Sequence, residues 1–121
     1  MNDFLDLIGA SGRHYRYTAA AGQLSPAGGN FAIVRLGKGA SWEVLRLGET
    51  HSLAAGAIQA RTEAVAEHGS AVRLFVRLNI SRKIRDEELI DLLAVPMSEL
   101  TQPKVAKAPK AEESDAESTV R

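Results

Sequence analysis

The residues best equipped for chemistry in this sequence are arginines set inside runs that alternate between apolar and polar positions. Residues 13–18 (RHYRYT) carry Arg16, residues 31–36 (FAIVRL) carry Arg35 and residues 42–47 (WEVLRL) carry Arg46. Residues 71–80 (AVRLFVRLNI) carry Arg73 and Arg77. In a strand, successive side chains point to opposite faces, so parity assigns each arginine a side. Arg16 opposes Tyr15 and Tyr17, Arg35 shares parity with Phe31 and Ile33, and Arg46 shares parity with Trp42 and Val44. Arg73 and Arg77 oppose the apolar set Val72, Leu74, Val76, Leu78 and Ile80. If these strands form one sheet, one face is expected to be studded with arginine. A guanidinium grips phosphate through two parallel hydrogen bonds and stacks on rings. Arg82, Lys83 and Arg85 follow, so residues 73–85 hold five basic residues and no acid. This pattern suits a surface for DNA, RNA or another phosphate-rich partner, with Phe31 as a stacking ring. It equally suits a solvated face, or arginines paired with helix acids such as Glu63, Glu67, Glu87 and Glu88.

Other constellations are thinner. His14, His51 and His68 show no metal-ligand spacing on one element. Glu87 and Glu88 stand near a helix start, where carboxylates complement the macrodipole without any chemistry; either one could also ligate a divalent metal. With no cysteine there is no disulfide, thiolate site or cysteine nucleophile. Gly37-Lys38-Gly39 is too short to cradle a phosphate, and no dinucleotide fingerprint or Ser-His-Asp grouping is present.

Local patterns predict the elements that position these residues. Asp3, followed by Phe4, Leu7 and Ile8, predicts one or two helical turns that lay an apolar flap on the core. Residues 13–18 predict a strand, and 19–30 a long connection of a length often found in mobile or functional loops. Residues 31–36 and 42–47 predict a hairpin, with Gly48 stopping its second strand. Residues 52–68 predict a helix capped by Ser52 and stopped by Gly69, with Leu53, Ala57, Ile58, Arg61 and Val65 on one side. Gly56 inside it either costs the helix about 1 kcal/mol relative to Ala or marks a point of close packing. Residues 71–80 predict the strongest strand. Ser81 caps a helix over 82–94 with an apolar face of Ile84, Leu89, Leu92 and Leu93, ended by Pro96.

The expected fold is a single α+β domain over residues 13–98: a small, mostly antiparallel sheet flanked by two main helices. An apolar segment, 1–12, precedes it. Residues 99–121, rich in charge and poor in apolar residues, read as a disordered tail. A chain of 121 residues can bury a core without staples. Basic and acidic residues balance at 15 each, which excludes a nonspecific polycation and leaves a local basic patch possible. No apolar run nears the roughly 20 residues that span a bilayer, and the acidic start is wrong for a signal peptide. The expectation is a soluble, cytoplasmic protein without membrane contact.

The order of elements resembles the GIY-YIG nuclease-like domain over residues 28–98. Gly29-Asn30-Phe31 lies where that family has its first motif. Arg46-Leu47-Gly48, followed by GETHSL, lies at the second, and EHGSAVRLFVRLNISRKIRDEELIDLLAVP resembles the third strand and glutamate helix. The family cuts DNA with two tyrosines, a first-helix arginine and a metal-binding glutamate. Here Phe31 and Arg46 stand at the tyrosine positions, Gly56 stands near the arginine position, and Glu87 or Glu88 stands for the glutamate. The resemblance therefore implies a degenerate, catalytically inactive member that needs no cofactor. It would bind nucleic acid or another phosphate-rich partner through Arg16, Phe31, Arg35, Arg46, Arg73, Arg77, Arg82, Lys83 and Arg85. Two alternatives stand beside it. One is a diverged nuclease using Glu87 or Glu88 with Mg²⁺ or Mn²⁺. The other is a protein-interaction domain docking through the N-terminal segment.

Overall fold

The computed structural model describes residues 4–37 and 41–101. Five strands form one antiparallel sheet in the order β1-β2-β5-β3-β4. They are β1 (Phe4–Ile8), β2 (His14–Ala19), β3 (Gly29–Leu36), β4 (Trp42–Thr50) and β5 (Val72–Leu78). Helix α1 (Ile58–His68) covers one face and α2 (Arg82–Leu93) covers the other. The α+β class, the antiparallel hairpin and the two main helices follow the sequence expectation. Among the described residues, no helix is long and apolar enough to cross a membrane.

With a helix on each face, β3 is buried on both sides. Phe31 and Ile33 pack toward α1 with Leu53, Ala57, Ala60, Ala64, Val72 and Leu74. Ala32 and Val34 pack toward α2 with Leu5, Leu7, Tyr15, Tyr17, Val44, Leu47, Phe75 and Leu92. A central strand covered twice reads as a continuous apolar run, and FAIV is one.

Several local expectations change. Residues 4–8 form an edge strand instead of helical turns. Phe4 to Ile8 pair antiparallel with Thr18 to His14, burying Leu5 and Leu7 and exposing Phe4 and Asp6. The buried pair, Leu5 and Leu7, has the i, i+2 spacing of one strand face, and cross-strand pairing decides in favour of it over the helical triplet. Gly48 does not end β4, which continues to Thr50. It lies opposite Phe31, and a Cβ there would enter the Phe31 ring. Glycine at this position provides room, not a turn.

Helix α1 is entered through a π turn, Leu53–Ala57, with the Ser52 hydroxyl accepting from the Ala55 N–H. This wider turn shifts the helical phase, so Ala60 and Ala64 are buried while Val65, expected on the inner face, is exposed. The space at Gly56 is filled by the Thr50 side chain, as the close-packing reading requires. In α2 the buried positions are Arg85, Glu88 and Leu92; Ile84 and Leu93, expected inside, are exposed.

The chain after α2 closes the sheet's curl. The Ile8 N–H donates to the Leu100 carbonyl at 3.0 Å, and the Thr101 hydroxyl donates to the Trp42 carbonyl at 3.3 Å. Both edge strands, β1 and β4, are thus tied to residues 100–101. Leu100 is fully buried, so residues 99–101 belong to the domain and not to the expected tail. The remaining tail residues, 102–121, and most of the Gly37-Lys38-Gly39 turn lie outside the described residues. The β1–β2 turn is anchored to α2 as well. Asp91 accepts from the Ser11 N–H, the Ser11 hydroxyl and the Tyr15 hydroxyl, which holds its carboxyl below the usual range.

Leu100→Ala is expected to cost about 2–5 kcal/mol, the range for truncating a fully buried leucine. Urea denaturation of the full chain measures it. A loss under about 0.5 kcal/mol would mean that residues 95–101 do not close the core.

Candidate functional site

One row of polar residues crosses the centre of the sheet on its α2 side. Asn30 of β3 is paired in register with Glu49 of β4 on one side and Arg77 of β5 on the other. Helix α2 answers this row with charges in the complementary order. Arg85 Nε donates to Glu49 Oε1 at 2.8 Å, and Arg77 donates through Nε and Nη2 to the two oxygens of Glu88 at 2.9 and 3.2 Å. Between the pairs, the Asn30 amide, fully buried, donates to the Arg85 carbonyl and accepts from the Asn79 amide. Taking a guanidinium out of water is costly unless its hydrogens are used. Arg85 meets that need at two further acceptors: its Nη1 donates to the carbonyls of Asn79 and Ile80 at 3.1 and 2.7 Å. Gly28 makes the space, since a Cβ there would meet Arg85 Nη1.

Beside this hub, where β4 ends and α2 begins, lies an open cleft of about 270 Å³ lined by Glu49, Thr50, His51, Arg82 and Arg85. Its floor and rim differ electrostatically. The floor is the Glu49–Arg85 pair, whose arginine side chain is 5% exposed and whose glutamate is 25% exposed. Among the described residues, neither Arg85 Nη2 nor Glu49 Oε2 has a hydrogen-bond partner. The rim holds His51, exposed, and Arg82, whose contact with Asp86 is a loose 3.8 Å. Lys83 is exposed on the same first turn of α2.

The arginines do not share one face. The β3–β4 register passes from Ile33↔Arg46 to Val34↔Val44, so Leu45 is a bulged residue. One extra residue inverts parity. Trp42 and Val44 therefore face α2, and Arg46 faces α1 beside Ile33. Arg16 and Arg35 lie on the α1 side, whereas Arg73 and Arg77 lie on the α2 side. Most are already paired: Arg16 with Asp6, Arg35 with Glu43, Arg46 with Glu63, Arg77 with Glu88 and Arg85 with Glu49. The Arg46 hydrogen bond holds the Glu63 carboxyl below its ordinary range, and Arg16 does the same for Asp6. Arg16 also stacks on Phe4, 4.9 Å from the ring centre. Arg73 donates to the neighbouring Val72 carbonyl and has no carboxylate partner among the described residues.

The residues at the nuclease-motif positions do not converge. Phe31 is 5% exposed under α1, with no ring face to offer a base. Arg46 is on that same side. Glu88 is on the opposite side of the sheet, held by Arg77 under α2. Glu87 is exposed on α2. Among the described residues, no three His, Asp or Glu side chains gather where a metal ion could sit. Tyr17 is a further buried side chain with a polar atom on the α2 side. Its hydroxyl has no partner among the described residues, and burial pushes the phenol well above its usual range.

Sequence reasoning brought out Arg82, Lys83 and Arg85 but missed Asn30, Glu49, His51 and Asn79. Asn30 offered a signal: an asparagine inside a twice-buried strand must find polar partners. Glu49 offered none, because the extension of β4 through Gly48 was not expected. Compared with known proteins, the chain matches no family model, no curated protein and no solved structure.

Arg85→Ala strands Glu49 and the carbonyls of Asn79 and Ile80, and is expected to cost about 3–5 kcal/mol. Arg46→Ala removes an exposed pair and should cost under about 1 kcal/mol. Denaturant midpoints of the two variants check the contrast; equal losses would refute the division into structural and surface arginines.

Proposed function

We propose that this chain is a GIY-YIG-like module without cutting chemistry, which binds nucleic acid or another phosphate-rich partner at the cleft between β4 and α2. The observation that carries the reading is the cleft itself. Its rim of Arg82 and His51, with Lys83 beside it, is basic, while the other strand arginines are largely occupied by carboxylates. Two donors on the rim and a lysine on the adjoining helix turn suit a phosphate backbone, whose charge dominates affinity for nucleic acid. The proposed loss of catalysis rests on the two motif positions held by Phe31 and Arg46. A buried phenyl ring has no hydroxyl with which to help deprotonate water, and Arg46 is tied to Glu63.

Fluorescence anisotropy with labelled single-stranded and duplex oligonucleotides at low salt tests this. Wild type is expected to bind with affinity that falls as salt rises. The double variant Arg82→Ala, Lys83→Ala is expected to bind about tenfold more weakly, with a shallower salt dependence. No binding by wild type at low salt would overturn the reading.

A further inference from the structure

The cleft has a chemistry of its own beyond a basic rim. A bare anion seeks a floor of donors, yet half of this floor is a carboxylate. The Glu49–Arg85 pair is neutral in sum and largely withdrawn from water, and among the described residues it leaves one acceptor, Oε2, and one donor, Nη2, without a hydrogen-bond partner. Such a pair recognises a neutral group that carries a donor next to an acceptor. Arg82 and His51 at the rim suit an anion a short distance away. The two halves together describe a ligand with a neutral polar head and an anionic tail.

Building on the proposed phosphate-binding role, we infer that the cleft takes one nucleotide unit, its base edge against Glu49 and Arg85 and its phosphate at Arg82 and His51. Every nucleobase places an N–H beside a ring nitrogen or carbonyl acceptor, so the base donates to Glu49 Oε2 and accepts from Arg85 Nη2. The volume, about 270 Å³, lies just below the roughly 300–1,000 Å³ typical of small-molecule sites, which favours one unit over a stacked run. The Arg85 guanidinium is fixed by Glu49, Asn79 and Ile80 before any ligand arrives, so little ordering is needed on binding. A free nucleotide and an unstacked or terminal residue of a strand share this chemistry.

Isothermal titration of the full chain with CMP, cytidine, ribose 5-phosphate and inorganic phosphate tests the inference, with a short oligonucleotide as a further arm. CMP is expected to bind at least about tenfold more tightly than ribose 5-phosphate or phosphate, the value of a buried hydrogen-bonded contact. Glu49→Gln turns the facing acceptor into a donor if its carbonyl stays on Arg85. It should remove the preference for CMP while leaving phosphate binding in place. Arg82→Ala, at an exposed position, should weaken CMP and leave cytidine unchanged, which keeps the test valid if Glu49→Gln fails to fold. Tight CMP binding with weak oligonucleotide binding would identify the free nucleotide as ligand; the reverse would identify the strand. Equal affinity for CMP, ribose 5-phosphate and phosphate would overturn the nucleotide inference and leave oligonucleotide binding standing. Absence of binding to oligonucleotide, CMP and phosphate alike would instead remove the broader proposal.

Discussion

The structure depends on a row of charge that the sheet and α2 build between them. Glu49, Asn30 and Arg77 lie side by side on three adjacent strands, and Arg85 and Glu88 descend on them from the helix. Burying either charge alone would be prohibitive, and burying both with their hydrogen bonds satisfied is tolerable. The arrangement fixes where α2 sits along the sheet, because sliding it by one turn would set like charges together. A helix docked only by leucines would have no comparable register. Leu92 supplies apolar contact further along, and residues 95–101 then cross to both sheet edges.

That constraint explains what happened to the arginines. A guanidinium inside an alternating strand can serve a ligand or a neighbour, and most of these serve neighbours. Arg16, Arg35 and Arg46 lie on the α1 side with Asp6, Glu43 and Glu63, while Arg77 is spent under α2. The proposed binding site falls at the end of the row, where, among the described residues, Arg85 Nη2 and Glu49 Oε2 have no hydrogen-bond partner and where Arg82 and His51 form the rim. The positions of the nuclease resemblance are divided by the sheet itself, with Phe31 and Arg46 on one side and Glu88 on the other.

Much of the fold was legible because its signals are local. Alternation located the hairpin and β5, Ser52 and Ser81 cap as expected, and Gly69 stops α1 at a positive φ of 86°. What was not legible came from single-residue irregularities with distant consequences. One bulged residue, Leu45, reversed the side of Arg46, and one wide turn at Leu53–Ala57 rotated the buried stripe of α1 toward its alanines. Gly48 looked like a stop and is a packing vacancy for Phe31. The candidate site was half legible. Its basic residues form a run in sequence, but the Glu49 that complements Arg85 is 36 residues away and finds it only through the three-dimensional fold.

The most direct test of the charge row is a double-mutant cycle on Arg77 and Glu88, using Arg77→Met, Glu88→Gln and the two combined, read by denaturant unfolding. Each single variant is expected to be destabilised and the double variant to lose less than their sum, with a coupling of at least about 1.5 kcal/mol. Additive losses, with coupling near zero, would show that α2 is positioned by apolar contact and that the polar row is incidental to the fold.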